Sequence, residues 1–320
     1  MSSDAAEARV TSATAPCCPI TGLPAKRRIQ NLSSRFLTDL WRFSFGVRTA
    51  RQLAGILRFE LWESPCGLAF FEPRIAGDKA FYDDLYTRLG HEGPWTGTAA
   101  TRSDYARAAT FVRPDDKVLD VGCGAAAFAR HIRAARYVGL ERSVEARRVA
   151  AEVRGETIAE HAARHRDAYE MVCAFHVIEH VAEPRLFVGD MLRCLRPGGR
   201  LVIAVPTWPS AMTDIPNFAL NAPPHHLTWW SERSLSALAD IFGLAVEAIE
   251  ALPASPALGI VYWIGRAAPK LTGARFFRHA WSWHLGLLWS WLAGRVCNAL
   301  LPMPARPHSF ELLLVARKPG

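Results

Sequence analysis

The sequence predicts an α/β protein with a mostly parallel, doubly wound sheet, and three observations carry that reading. From Asp116 onward, short β-branched or Leu-rich runs alternate with helical stretches: KVLDVG, RYVGLE, YEMVCAF, GRLVIAVP, LAVEAIEAL and FELLLVAR. The first run ends in a glycine turn, VGCGAAAFA, which opens a helix. RPGG, residues 196–199, stops another helix and leads straight into the apolar run LVIAV, a central strand. With GETIAE (155–160) as a weak third strand, the sheet has seven strands joined by right-handed crossovers.

Upstream, residues 1–30 mix Ala, Ser, Thr and Pro without periodicity and read as a mobile or irregularly packed leader. Phe36, Leu37, Leu40, Trp41 and Phe43 recur at helical spacing, VRTARQLAGIL (47–57) continues as a second helix, and RFELWES and GLAFFEP form two short strands around Cys66. Residues 78–113 predict two more helices. The organisation is therefore a leader at 1–30, an α+β extension at 31–113, and the sheet domain at 114–320.

Before the last strand, an insert at 254–306 carries five of the eleven Trp. Within it Trp281, Leu285, Leu288, Trp289, Leu292, Val296, Ala299 and Leu300 share one helical face, while Ser282, His284, Ser290, Arg295 and Asn298 lie opposite. Polar residues on that second face argue against a membrane span. The stripe is expected to pack as a lid or homodimer surface. Peripheral membrane contact through 279–302 is the alternative.

MSSDAAEARVTSATAPCC has no basic region followed by an apolar run, so no secretory signal is expected. Seven unevenly scattered Cys argue for reduced thiols and a cytoplasmic setting. The net charge of +8 is spread over single or paired Lys and Arg with no dense block, so nucleic acid is not an expected partner.

Chemistry concentrates at the glycine turn. Gly122 and Gly124 permit a tight bend and close approach of a ligand to backbone, with Cys123 between them. G-x-G-x-x-A also fits a nicotinamide dinucleotide fingerprint, but Asp120, two residues before the first glycine, would repel a pyrophosphate. S-adenosylmethionine has no phosphate and presents a cationic amino group and sulfonium to that carboxylate. Glu141 ends the second strand, where it can accept hydrogen bonds from both ribose hydroxyls.

In the order VLDVGCG, YVGLE, YEMVCAFHVIEHV, LRPGGRLVIAVP and NAPPHHLTWWS, residues 115–252 resemble the Rossmann-like class I S-adenosylmethionine-dependent methyltransferases, and bacterial sugar- and cell-surface-modifying members in particular. The resemblance implies that Phe175 and His176 line the cofactor, that Glu179 and His180 floor the acceptor site, and that the PPHH element sits over the acceptor. More weakly, CPITG and ESPCGLAFFEP resemble an N-terminal zinc-ribbon module. Thr21 and Glu63 stand where two of its four thiolates would be, so no zinc is expected.

Methyl transfer needs alignment, and a base only where the acceptor must lose a proton. His225 is the first candidate base, with His226 and His180 behind it. Related ubiquinone-type O-methyltransferases have acidic residues near HVIEH that are associated with a divalent ion. His176 replaces the first acid here, so magnesium, and any metal, is not expected. Glu160 is the candidate acceptor for the adenine amine. The predicted activity is methyl transfer to a small or lipid-linked acceptor, with a nicotinamide-dependent oxidoreductase or a non-catalytic S-adenosylmethionine-binding protein as the competing readings.

Overall fold

The computed structural model describes residues 15–89, 102–142, 152–210, 212–254, 258–268, 276–279, 281–301, 303 and 310–320, with the side chains of 281–284 excepted. Its strands are β1 (Arg27–Ser33), β2 (Arg58–Glu63), β3 (Ala69–Glu72), β4 (Lys117–Val121), β5 (Arg136–Leu140), β6 (Val153–Arg154), β7 (Tyr169–Phe175), β8 (Leu195–Pro206), β9 (Thr228–Trp229), β10 (Ala245–Ala251) and β11 (Glu311–Arg317). Its α-helices are α1 (Ser34–Phe45), α2 (Lys79–Leu89), α3 (Ser103–Ala109), α4 (Ile158–Ala162), α5 (Pro184–Cys194), α6 (Glu232–Ile241), α7 (Gly259–Ala267) and α8 (Trp281–Leu300).

Seven strands form the main sheet in the order β10-β11-β8-β7-β4-β5-β6. Neighbours among β8, β7, β4, β5 and β6 pair parallel, and β11 runs antiparallel to both β8 and β10. The central strands are buried on both faces, as their near-continuous apolar runs require. The chain builds outward from β4 through β5 to β6, then returns to the other side of β4 as β7. The carboxyl ends of β4 and β7 therefore flank a topological switch point, where open α/β sheets bind ligands.

The third strand is Val153–Arg154 and not GETIAE. Thr157 caps α4, its hydroxyl accepting from the Glu160 N–H while the Glu160 carboxylate accepts from the Thr157 N–H at 2.7 Å. This capping box commits GETIAE to a helix start. Residues 47–57 likewise form turns and not a second helix, with Gly55 at φ +81° breaking the run.

The described part of the leader is packed: Cys17 bridges to Pro24, Cys18 and Ile20 are buried, and β1 starts at Arg27, inside the span expected to be irregular. The second sheet runs β1-β2-β3-β9, so β9, from well inside the sheet domain, completes a sheet begun by the extension. Cys18 and Cys66 lie side by side beneath it, Sγ to Sγ 3.8 Å.

α8 spans the expected residues, but its orientation differs from the expected packing. Ser290 is fully buried, and a Cβ on Gly294 would sit 2.8 Å from the Ile264 backbone N of α7. Small residues let the two helices approach, and this turns the large side chains outward: Leu285, Trp289 and Leu300 are each about two-thirds exposed or more (69%, 67% and 74%). Among the described residues no helix is long and apolar enough to cross a membrane.

Candidate active site

At the switch point the glycine turn is pinned from below, since the N–H groups of Gly122 and Cys123 both donate to the Leu140 carbonyl, at 2.8 and 3.1 Å. Gly122 has φ +74°, and a Cβ there would meet Val177 Cγ2 at 2.5 Å. Gly124 has φ +52° with nothing within 4 Å of a Cβ position, which leaves an open face for a ligand. Cys123 is buried, and its Sγ fills the space that a side chain on Gly139 would need. Its part is packing beneath the turn.

Asp120 is buried under the turn (1% exposed). Its Oδ2 accepts a 2.7 Å hydrogen bond from the Tyr137 hydroxyl, while Oδ1 has no partner. Burial raises this carboxyl to about 7, against the opposing Tyr137 bond and the Arg102 charge. An orphaned oxygen on a desolvated carboxylate suits a cationic ligand group. Glu141 reaches the turn from β5, accepting from the Gly124 N–H at 3.0 Å, beside the ribose position expected of it. The open glycine, the orphaned acid and this strand-end carboxylate fit the amino, sulfonium and ribose groups of S-adenosylmethionine.

Two residues expected at the cofactor have partners within the chain. The Glu160 carboxylate accepts from the Thr157 N–H and hydroxyl of its own helix cap. The Phe175 ring is buried against Tyr105 and Phe128, with centroids at 4.9 and 4.8 Å. His176 stands in the left-handed region at φ 57°, which turns its ring toward three carboxylates. Its Nε2 lies 3.7 Å from Asp104 and 3.5 Å from Glu311, and its Nδ1 3.5 Å from Glu179. Burial works against a charge on the ring, but Glu311 and Glu179 outweigh it and raise the imidazole to about 10.

His180, His225 and His226 come together: one ring nitrogen from each lies within 4.8 Å of the others. His180 Nδ1 is 2.8 Å from the His225 carbonyl and His225 Nδ1 is 3.0 Å from the Leu220 carbonyl, so both Nδ1 atoms carry the proton and donate. Burial, and then the neighbouring histidines, holds His225 and His226 well below the ordinary imidazole range, leaving both neutral. The PPHH loop is fixed by the extension, because the Trp41 indole N–H of α1 donates to the Pro223 carbonyl at 2.8 Å. The Leu227 N–H donates to the Glu179 carbonyl at 2.8 Å and ties that loop to the segment after β7.

Sequence reasoning missed the groups that close this cleft from above. Tyr82 and Tyr86 of α2 stack with centroids 6.0 Å apart. Tyr82 packs edge-on against His180, its hydroxyl buried without a partner, and Tyr86 is raised to about 12 by burial and by the charges of Glu141 and Glu179. Their i, i+4 spacing in FYDDLY was the available signal. Arg102 and Asp104 were also missed. Arg102 pairs with the fully buried Asp104 and stacks over Tyr105 at 3.9 Å, ordering the entry to the sheet domain.

Residues 96–249 match the family described as "Methyltransferase domain". This segment, just under half of the chain, is similar to methyltransferase domains. The ubiquinone biosynthesis O-methyltransferases of Klebsiella pneumoniae and Salmonella enteritidis are each 34% identical to this chain over 97 residues, 27% of this chain and 40% of theirs. The similarity thus spans well under half of those relatives. A SAM-dependent methyltransferase from Archaeoglobus fulgidus aligns over 74% of this chain and 100% of its own, with 15% identity and a TM-score of 0.48. The fold assignment rests on the strand order and not on that alignment.

Proposed function

We propose that this protein transfers a methyl group from S-adenosylmethionine to a small or lipid-linked acceptor, such as a sugar or cell-surface precursor, at the cytoplasmic face of a membrane. One observation carries the reading: the segment 176–180 touches the glycine turn through Val177 and the histidine cluster through His180, so donor and acceptor positions adjoin. S-adenosylmethionine, when bound, supplies an electrophilic methyl group. Asp120 balances positive charge beneath the turn, and Glu141 accepts from the ribose. Tyr82 and Tyr86 shield the cleft from water.

On the acceptor side, His225 is neutral with Nδ1–H given to Leu220, so Nε2 holds a lone pair able to take an acceptor proton. His226 and His180 wall the same space. The exposed apolar stripe of α8, with the Arg295 guanidinium 5.0 Å over the Trp291 ring, supports peripheral contact with lipid. Incubation with methyl-labelled S-adenosylmethionine and fractionated cell extract tests the proposal. It expects label in a non-protein, non-nucleic-acid product, and label in no fraction would end it.

A further inference from the structure

Two tight turns ahead of the main sheet face each other, and each carries one cysteine. In the first, the Cys18 N–H donates to the Leu23 carbonyl at 2.8 Å and the Gly22 N–H to the Cys18 carbonyl at 2.9 Å. The second joins β2 to β3, with the Ser64 N–H donating to the Leu68 carbonyl at 2.8 Å and the Gly67 N–H to the Ser64 carbonyl at 3.0 Å. Gly22 and Gly67 supply the left-handed positions of these turns, at φ +73° and +83°. A 2.7 Å hydrogen bond from the Lys26 N–H to the Glu63 carbonyl holds the turns side by side. Between them the Cys18 and Cys66 sulfurs, both free thiols, meet at 3.8 Å, with the residues 2% and 8% exposed.

Their surroundings set this pair apart from the other buried cysteines. Burial raises Cys123, Cys173 and Cys194 and keeps those thiols protonated. The hydrogen bond from Cys66 instead brings Cys18 down to about 5, against burial and with help from Ser64 and Thr21. A thiolate thus stands against a thiol, the arrangement from which disulfides form. Because the turns are pinned by backbone hydrogen bonds, closing the gap to a bond of about 2.04 Å falls to rotation of the two side chains.

We propose that Cys18 and Cys66 are a reversible redox pair, oxidised by hydrogen peroxide to a disulfide that locks the first turn to the β2–β3 hairpin. The Cys18 sulfur attacks one peroxide oxygen, the O–O bond breaks, and the departing hydroxide takes a proton to become water. The Cys66 sulfur then displaces hydroxide from the Cys18 sulfenic acid, and the thiol proton leaves with it as a second water. Two thiols lose two electrons and one peroxide gains them. A small oxidant suits so buried a pair. The lock acts on the hairpin that supports the PPHH loop: the Gly67 carbonyl accepts from the Ser231 hydroxyl at 2.9 Å, the Phe71 N–H donates to the Leu227 carbonyl at 2.9 Å, and β3 pairs with β9.

The test treats the full chain with about one equivalent of hydrogen peroxide, then unfolds it in an alkylating agent and maps its peptides by mass spectrometry. The Cys18 and Cys66 peptides should be joined, with about 2 Da lost and full reversal by dithiothreitol. Bridging residues 48 apart should also raise the urea midpoint by about 1 M while the bond is intact. Cys17→Ser should form the same bond, and Cys66→Ser should leave a sulfenic acid at Cys18 that dimedone traps. Alkylation of both cysteines in the treated wild-type chain overturns the proposal, whether or not Cys66→Ser folds. So does a bond that joins either one to Cys17 or to a second chain. An oxidised chain that unfolds at the midpoint of the reduced one refutes the lock.

Discussion

Replacing Asp120 with Asn removes a titrating charge from beneath the glycine turn while keeping the side chain's shape. The Asp120 carboxyl stands at about 7 in the folded chain against an ordinary 3.8, because burial disfavours the anion. That difference corresponds to about 4 kcal/mol in favour of the neutral form. Between these two values the folded chain keeps a proton that the unfolded chain has released. Stability therefore falls as pH rises through that window and levels off above about 7. Asn has no proton to lose, so Asp120→Asn should gain on the wild type by about 2–3 kcal/mol between pH 5 and pH 8. Urea denaturation of both chains without ligand at these two pH values measures it. Calorimetry with S-adenosylhomocysteine should show the opposite cost, affinity about 10–100-fold lower at pH 8, because the orphaned oxygen no longer answers the ligand's ammonium. Parallel stability curves, together with unchanged affinity, would refute a buried, ligand-facing carboxylate.

Other perturbations address separate parts of the account. Gly122→Ala forces a side chain into positive φ and against Val177, so loss of about 1–2 kcal/mol of stability and loss of measurable donor binding are expected in melting and calorimetry. His225→Ala should slow turnover by about 100-fold or more while S-adenosylhomocysteine binding stays at the wild-type level, and full turnover would remove His225 from the acceptor side. Trp41→Phe removes the indole N–H from Pro223 and should cost about 1 kcal/mol in denaturant unfolding; no change would mean the PPHH loop is held without it. For α8, Leu288→Glu with Trp289→Glu should abolish flotation with anionic liposomes at low salt. A wild-type chain that never floats contradicts lipid contact.

The main sheet was legible because its central strands are buried on both faces and spell near-continuous apolar runs, from VLDV, broken only by Asp120, to LLLVA. Val153–Arg154 escaped notice because two half-buried edge residues leave no pattern, whereas Thr157 and Glu160 carried a capping box that was taken for strand. Asp120 and Glu141 could be read from spacing, since strand ends fix where their side chains start. The meeting of His180 with His225 and His226 could not, because 45 residues separate His180 from His225 and a folded PPHH loop brings them together. Nor could the orientation of α8. Its periodicity showed a stripe of large apolar residues, but Ser290 and Gly294 on the other face decided which side α7 could approach.

The central claim is that the turn at 120–124 holds the methyl donor, and calorimetric titration of the purified chain with S-adenosylhomocysteine and, separately, with a nicotinamide dinucleotide tests it most directly. The account predicts one S-adenosylhomocysteine per chain with micromolar affinity, lost in Asp120→Ala and Glu141→Ala, and no heat from the dinucleotide. Saturable dinucleotide binding with no S-adenosylhomocysteine binding would contradict it.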